Sequence, residues 1–151
     1  MAIKSPSLLF RNFTSADLLD ATMLANSSLS EFYSESLISE LRDQWPEAFM
    51  VCYSGSELIG LICGSKYSRT EARVLLLAVK RESRRLGIGG ILMERFENLA
   101  RSSGYIGVRL EVKKDNVGAI NFYRRIGYSI TGSITAYYSD LSDAYVMWKL
   151  L

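Results

Sequence analysis

The stretch VLLLAVKRESRRLGIGG, from Val74 to Gly90, leaves a chain few ways to fold. Val74 to Val79 is aliphatic throughout, which suits a central strand covered on both faces. Beyond it the period changes: Ile88, Ile91, Leu92, Phe96, Leu99 and Ala100 recur at helical spacing and line one face. Between strand and helix lie Arg84, Arg85, Leu86, Gly87, Ile88, Gly89 and Gly90. Glycines there let a backbone approach a ligand closely, and the first turn of a helix presents unpaired N–H groups that suit an anion such as a pyrophosphate. The two arginines can add charge-assisted contacts. A tight connection with solvent-facing arginines would use the same letters. Neither G-x-x-x-x-G-K-S/T nor G-x-G-x-x-G is present, so nucleotide hydrolysis and hydride transfer both fall in rank.

At 151 residues, 48% of them hydrophobic, the chain suits one domain spanning 1–151 with a substantial core. A net charge of +2 without a cationic run gives no footprint for nucleic acid. No apolar run reaches membrane-spanning length and MAIKSPSLLF lacks the apolar region of a leader, so the expected location is cytoplasmic. Cys52 and Cys63 sit in apolar runs without C-x-x-C spacing and read as core residues. With no histidine in the chain, a His-based triad and the usual zinc sites are excluded and no metal is expected. Proton transfer must then use Glu, Asp, Tyr, Lys or Cys.

The rest of the chain supplies a strand over 8–13, a helix capped by Thr14 or Ser15 and running to about Asn26, and a second helix over 34–44 that ends before Pro46. Strands over 48–53 and 57–66 meet at Ser54-Gly55-Ser56 as a hairpin. The central helix runs to about Ser103 and stops at Gly104. A strand over 105–113 places Ile106, Val108, Leu110 and Val112 on one face and Arg109 with Glu111 on the other. Asn116 caps a helix carrying Ile120, Tyr123 and Ile126 and closed by Gly127, and strands over 128–138 and 144–150 finish the chain. The fold class is α/β: a single mixed, mostly antiparallel sheet with helices on both faces, in the order β-α-α-β-β-β-α-β-α-β-β.

Arg84-x-x-Gly87-x-Gly89, after a buried strand and opening a helix, resembles the acetyl-CoA-binding Arg/Gln-x-x-Gly-x-Gly/Ala motif of the GNAT superfamily of N-acetyltransferases. The element order is that family's from end to end. Asn116-x-x-Ala119-x-x-Phe122-Tyr123-x-x-x-Gly127-Tyr128 is similar to a segment of RimI-like N-terminal acetyltransferases, as are Leu110-Glu111-Val112, Tyr137-Tyr138 with Asp143-Ala144-Tyr145, and Leu29-Ser30-Glu31-Phe32-Tyr33. Two departures stand out: Ser30 replaces a usual proline, and Gly90 removes one side-chain contact to phosphate. The resemblance implies the GNAT fold, acetyl-CoA as cosubstrate, and amides of the 84–90 loop on its pyrophosphate. Leu77, Ala78 and Val79 would pair with the pantetheine arm, and Asn116, Ala119, Phe122 and Tyr123 would complete the cofactor site. Leu29, Glu31, Tyr33, Tyr137 and Tyr138 would flank an acceptor groove.

Transfer from a thioester to an amine needs a neutral amine, a polarised carbonyl and a proton for the leaving thiolate. From spacing alone Tyr123 reads better as a core tyrosine on an amphipathic helix; the resemblance reverses this, since it fills the position of the family's general acid. Glu111 is the candidate base, acting directly or through a water, or else a strand carboxylate paired with Arg109 or Lys113. Backbone N–H near Leu77 to Val79 would serve as oxyanion donor, and Asn116 reads as an N-cap as well as a pantetheine contact. At pH 7 an α-amine of pKa about 8 is roughly a tenth neutral, whereas a lysine amine is neutral about once in 2,500 molecules. A site with one modest base therefore suits α-amines. The expected acceptors are protein or peptide N-termini, a ribosomal protein among them, taken by a monomer or weak homodimer. A small-amine acetyltransferase and a non-catalytic CoA-binding module stand as alternatives.

Overall fold

A computed structural model describes residues 7–151; residues 1–6, most of the segment read as lacking a leader, lie outside them. Seven strands form one sheet in the order β1-β2-β3-β4-β5-β7-β6, with β1 Leu8–Asn12, β2 Met50–Ser54, β3 Glu57–Lys66, β4 Glu71–Val79, β5 Gly107–Lys113, β6 Ser129–Ile134 and β7 Ala144–Leu150. Only β4 and β5 run parallel; every other neighbouring pair is antiparallel. The helices are α1 Leu18–Ser28, α2 Glu35–Gln44, α3 Ile88–Ser102 and α4 Val117–Arg125. No helix among the described residues is long and apolar enough to cross a membrane.

The sheet separates two cores. On one face Ile88, Leu92, Met93, Phe96 and Ala100 of α3, with Ile120 of α4, pack on Ile62, Val74, Val108, Leu110 and Met147. On the other, Ala21, Leu24 and Ala25 of α1 and Ile38 of α2 cover Val51, Leu61, Leu76 and Ala78. Helices thus lie on both faces, as the aliphatic run of β4 requires. Cys52 and Cys63 are fully buried among these side chains. Gly60 and Gly64 let α3 settle directly on β3: a Cβ would stand 2.8 Å from Ile88 at Gly60 and 2.1 Å from Phe96 at Gly64.

One irregularity in β4 matters for function. Cys63 pairs with Leu76 and Gly64 with Val74, so Leu75 is an extra residue, a bulge. Ahead of it Ala72 and Val74 face the α3 core; after it Leu76 and Ala78 face the α1 core, with Leu77 and Val79 turned towards α3. The bulge reverses which face each side chain meets, a change that an unbroken aliphatic run cannot reveal.

Two expected boundaries near the site shift. The last helix of the α3 region ends at Ser102 and Gly104 takes a left-handed turn at φ +91°, but the next strand starts at Gly107 rather than Tyr105. Ile106 is accordingly exposed instead of sharing the buried face of Val108, Leu110 and Val112. The strand expected over 128–138 stops at Ile134, because Ala136 adopts φ +52° and the chain turns. Tyr137 and Tyr138 therefore belong to a loop, where both amides donate to the Ser142 carbonyl at 3.0 and 3.2 Å.

Candidate active site

The site follows from a parting of strands. β4 and β5 pair only through Glu71, Ala72 and Arg73 with Gly107, Val108 and Arg109. Beyond these the two diverge, so the β5-facing edge of the later β4 residues is left without a ladder partner. Leu77, Ala78 and Val79 lie on that open stretch; the Ala78 side chain is buried and contributes backbone only.

At the end of β4 the chain turns through 80–87 into α3. Gly87 is the N-cap at φ +78°, and its carbonyl accepts from the Ile91 amide at 3.1 Å. The amides of Ile88, Gly89 and Gly90 consequently begin the helix without an intrahelical acceptor. Around Gly87 and Gly90 a Cβ would find no atom within 4 Å, so the loop is open on that side. Around Gly89 it would stand 3.3 Å from the Phe122 ring, which packs against the loop. Arg85 holds φ +77°, outside the range β-carbon sterics favour, and Arg84 turns back so that its Nε donates to the Val79 carbonyl at 3.2 Å. Leu86 is exposed, whereas Ile88 is buried in the core and offers its amide alone. This arrangement fits a pyrophosphate: open space, converging N–H groups and basic side chains.

α4 forms the far wall of the parting. Asn116 Oδ1 accepts from the Ala119 amide at 3.2 Å, so the cap reading holds. Ala119 and Phe122 are half-buried between loop and core. Tyr123 stacks edge-on with Phe122 and Tyr128 at 5.2 and 5.9 Å, and burial alone pushes its phenol well above the ordinary tyrosine range. It is therefore fully protonated near neutrality, the state an acid needs.

Beside the parting is a cleft of about 420 Å³ lined by Tyr33, Arg73, Glu111, Tyr137, Tyr138 and the Glu31–Ser139 contact. Glu111, its side chain 6% exposed, receives Arg73 Nε on one oxygen at 3.0 Å and Arg109 Nε on the other at 3.3 Å. The expected alternative partner Lys113 instead meets Asp140 at 2.9 Å, because the loop after β6 carries that carboxylate to it. Tyr137 and Tyr138 meet edge-on at 5.0 Å, and the Tyr137 hydroxyl accepts from Arg73 Nη2 at 2.6 Å. Burial pushes up the phenol of Tyr138, with Tyr137, Glu111, Tyr123 and Tyr33 adding to it, so four separate stretches of the chain meet here.

Two loops close the mouth. Glu31 accepts from the Ser139 amide and hydroxyl at 2.8 and 2.6 Å, tying residues 29–33 to the β6–β7 loop and lowering the carboxyl's pKa. Asn26 clamps the first loop by exchanging two 2.8 Å hydrogen bonds with the Tyr33 backbone. Leu29 points the other way and packs against the α1 core, so it supports the groove without lining it. Sequence reasoning missed Arg73, Ser139 and Asn26. Arg73 lies one residue ahead of the aliphatic run, beside Glu71, where a charge carries no signal, and the others had none.

The sequence pattern of the acetyltransferase (GNAT) family matches residues 17–128. The crystal structure of Ard1 from Thermoplasma volcanium aligns with 95% of this chain and 97% of its own at a TM-score of 0.92 and 45% identity. An uncharacterised N-acetyltransferase of Methanocaldococcus jannaschii is 34% identical over 145 residues, covering 94% of this chain and 91% of the relative. N-alpha-acetyltransferase 30 of Schizosaccharomyces pombe is 31% identical over 132 residues, covering 85% and 88%.

Proposed function

The chain belongs to the acetyltransferase (GNAT) family, and from that premise we propose that it transfers the acetyl group of acetyl-CoA to the N-terminal α-amine of proteins and peptides, by direct attack in a ternary complex. The observation that carries the reading is the cleft: it opens at the β4–β5 parting, ends at Glu111, and is walled by tyrosines on two tied loops. Such a groove suits an extended chain end whose backbone polar groups need partners. Likeness to an N-alpha-acetyltransferase supports the same acceptor class.

The α3 amides at Ile88, Gly89 and Gly90 hold the anionic pyrophosphate, with Arg84 and Arg85 beside them. The open edge at Leu77 to Val79 gives the pantetheine arm backbone partners, and an N–H there polarises the carbonyl. Acetyl-CoA supplies the activated thioester. Both Glu111 oxygens already accept from guanidinium N–H, so the amine's proton reaches it through a water that uses a remaining lone pair. Tyr123 holds a proton at Oη for the departing sulfur.

CoA release measured with a peptide panel, beside spermidine and free amino acids, tests the assignment. Turnover on peptides that falls about a hundredfold in Glu111→Gln is expected. Turnover on small amines alone would overturn the acceptor class.

A further inference from the structure

Two arginines hold Glu111, and a third side chain holds the arginines. Arg73 of β4 and Arg109 of β5 are register partners, the last such pair before the strands part. Like charges set directly across a ladder repel one another. Each guanidinium reaches Glu111 through a single N–H, at 3.0 Å for Arg73 and 3.3 Å for Arg109, and one such bond leaves the group free to swing. Both guanidinium groups also lie over the ring of Tyr67, at 5.9 Å for Arg73 and 4.6 Å for Arg109, within the reach of a cation–π attraction. Arg73 has a further hold on the Tyr137 hydroxyl, so Arg109 depends most on the ring.

The ring is a fixed platform. The amides of Tyr67 and Ser68 both donate to the Glu71 carbonyl at 3.0 Å, and the Thr70 carbonyl accepts from the Ile106 and Gly107 amides at 2.9 and 3.3 Å. The turn between β3 and β4 is thereby pinned to both strands that carry the arginines. Tyr67 is 46% exposed and lies outside the lining of the cleft, so neither core packing nor contact with an acceptor accounts for its place. We infer that Tyr67 is a positioning residue for the transfer: its ring holds Arg73 and Arg109 converged, and they in turn hold the Glu111 carboxylate towards the acceptor amine. The inference rests on the proposed role of Glu111 as base. A carboxylate released from this clamp keeps its charge but loses its aim, and a misplacement of about 1 Å is enough to slow a reaction severely.

The test is kcat and KM, for acetyl-CoA and for the best peptide of a panel, in the native chain, Tyr67→Leu, Tyr67→Phe, Glu111→Gln and the Tyr67→Leu/Glu111→Gln double variant, with a thermal melt of each. Tyr67→Gln replaces Tyr67→Leu if the latter does not fold. Tyr67→Leu should lower kcat about tenfold with both KM values near native, whereas Tyr67→Phe, which keeps the ring, should stay within about twofold of the native rate. In the double variant the loss should not exceed that of Glu111→Gln, because the clamp acts only through that carboxylate. A native kcat in folded Tyr67→Leu would overturn the inference, as would a raised peptide KM at unchanged kcat, a Tyr67→Phe variant as slow as Tyr67→Leu, or losses that multiply in full in the double variant. Native turnover in Glu111→Gln would instead overturn the assignment of the base, and the inference with it.

Discussion

Single side chains divide the chemistry. Tyr123 is half-buried without a hydrogen bond shifting its phenol, so Tyr123→Phe removes the proposed proton donor and little packing. Turnover should fall by roughly a hundredfold or more while acetyl-CoA affinity, measured by calorimetry, changes little. Asp17 shows the structural counterpart. It is 1% exposed and accepts two hydrogen bonds from Arg11 at 2.8 and 2.9 Å and one from Tyr53 at 2.6 Å. Asp17→Ala strands these donors and should lower unfolding free energy by about 2–4 kcal/mol in urea titration, with catalysis intact in the folded fraction. Residue roles were unevenly legible. Glu111 and Tyr123 stand out within local motifs, whereas the Glu31–Ser139 tie spans 108 positions and Arg73–Tyr137 spans 64. No pattern in a single sequence encodes such meetings.

At the scale of elements, Val74 to Gly90 announced its own structure because strand and helix periods abut there with glycines between. The Leu75 bulge stayed hidden, since both faces of β4 are buried and either parity reads as apolar. The end of β6 stayed hidden for a related reason: Thr135 to Tyr138 has strand-like composition, and only backbone geometry at Ala136 ends it. Among the described residues, the three non-glycine positions with positive φ, Arg85, Ala136 and Leu141, all fall in the two loops that frame the site. Each stores about 1–2 kcal/mol that the surrounding contacts must offset. Packing of α3 on β3 yields a separate expectation. Gly64→Ala would set a methyl group against Phe96, and the displaced helix should lower stability by about 1–3 kcal/mol, read as a fall of several degrees in Tm. Gly89→Pro acts on function instead: the lost amide and the ring against Phe122 should weaken acetyl-CoA binding at least tenfold.

For the whole molecule, titration sets a stability window. The folded pKa of Asp17 lies below its ordinary value, chiefly through Arg11, so its contribution is present above about pH 4 and is lost as pH falls towards the folded value. At the other end burial pushes the Cys63 thiol and the Tyr53 phenol up to about 12. Groups with raised pKa stabilise below their unfolded values, about 8.5 and 10, and that stability is lost as pH rises through the folded ones. Urea midpoints should therefore be flat from about pH 5 to 8, falling below 4 and above 9. The order of elements and the placing of helices on both faces were readable because alternating periods and caps repeat along the chain. The cleft itself was not, being defined by where β4 and β5 stop pairing.

The most direct measurement places the acetyl group. A peptide with a free N-terminus and an internal lysine, treated with enzyme and acetyl-CoA, is sequenced by tandem mass spectrometry beside a copy whose N-terminus is blocked. Acetyl on the α-amine of the first peptide and none on the second is the predicted result; acetyl on the lysine of both would contradict the account.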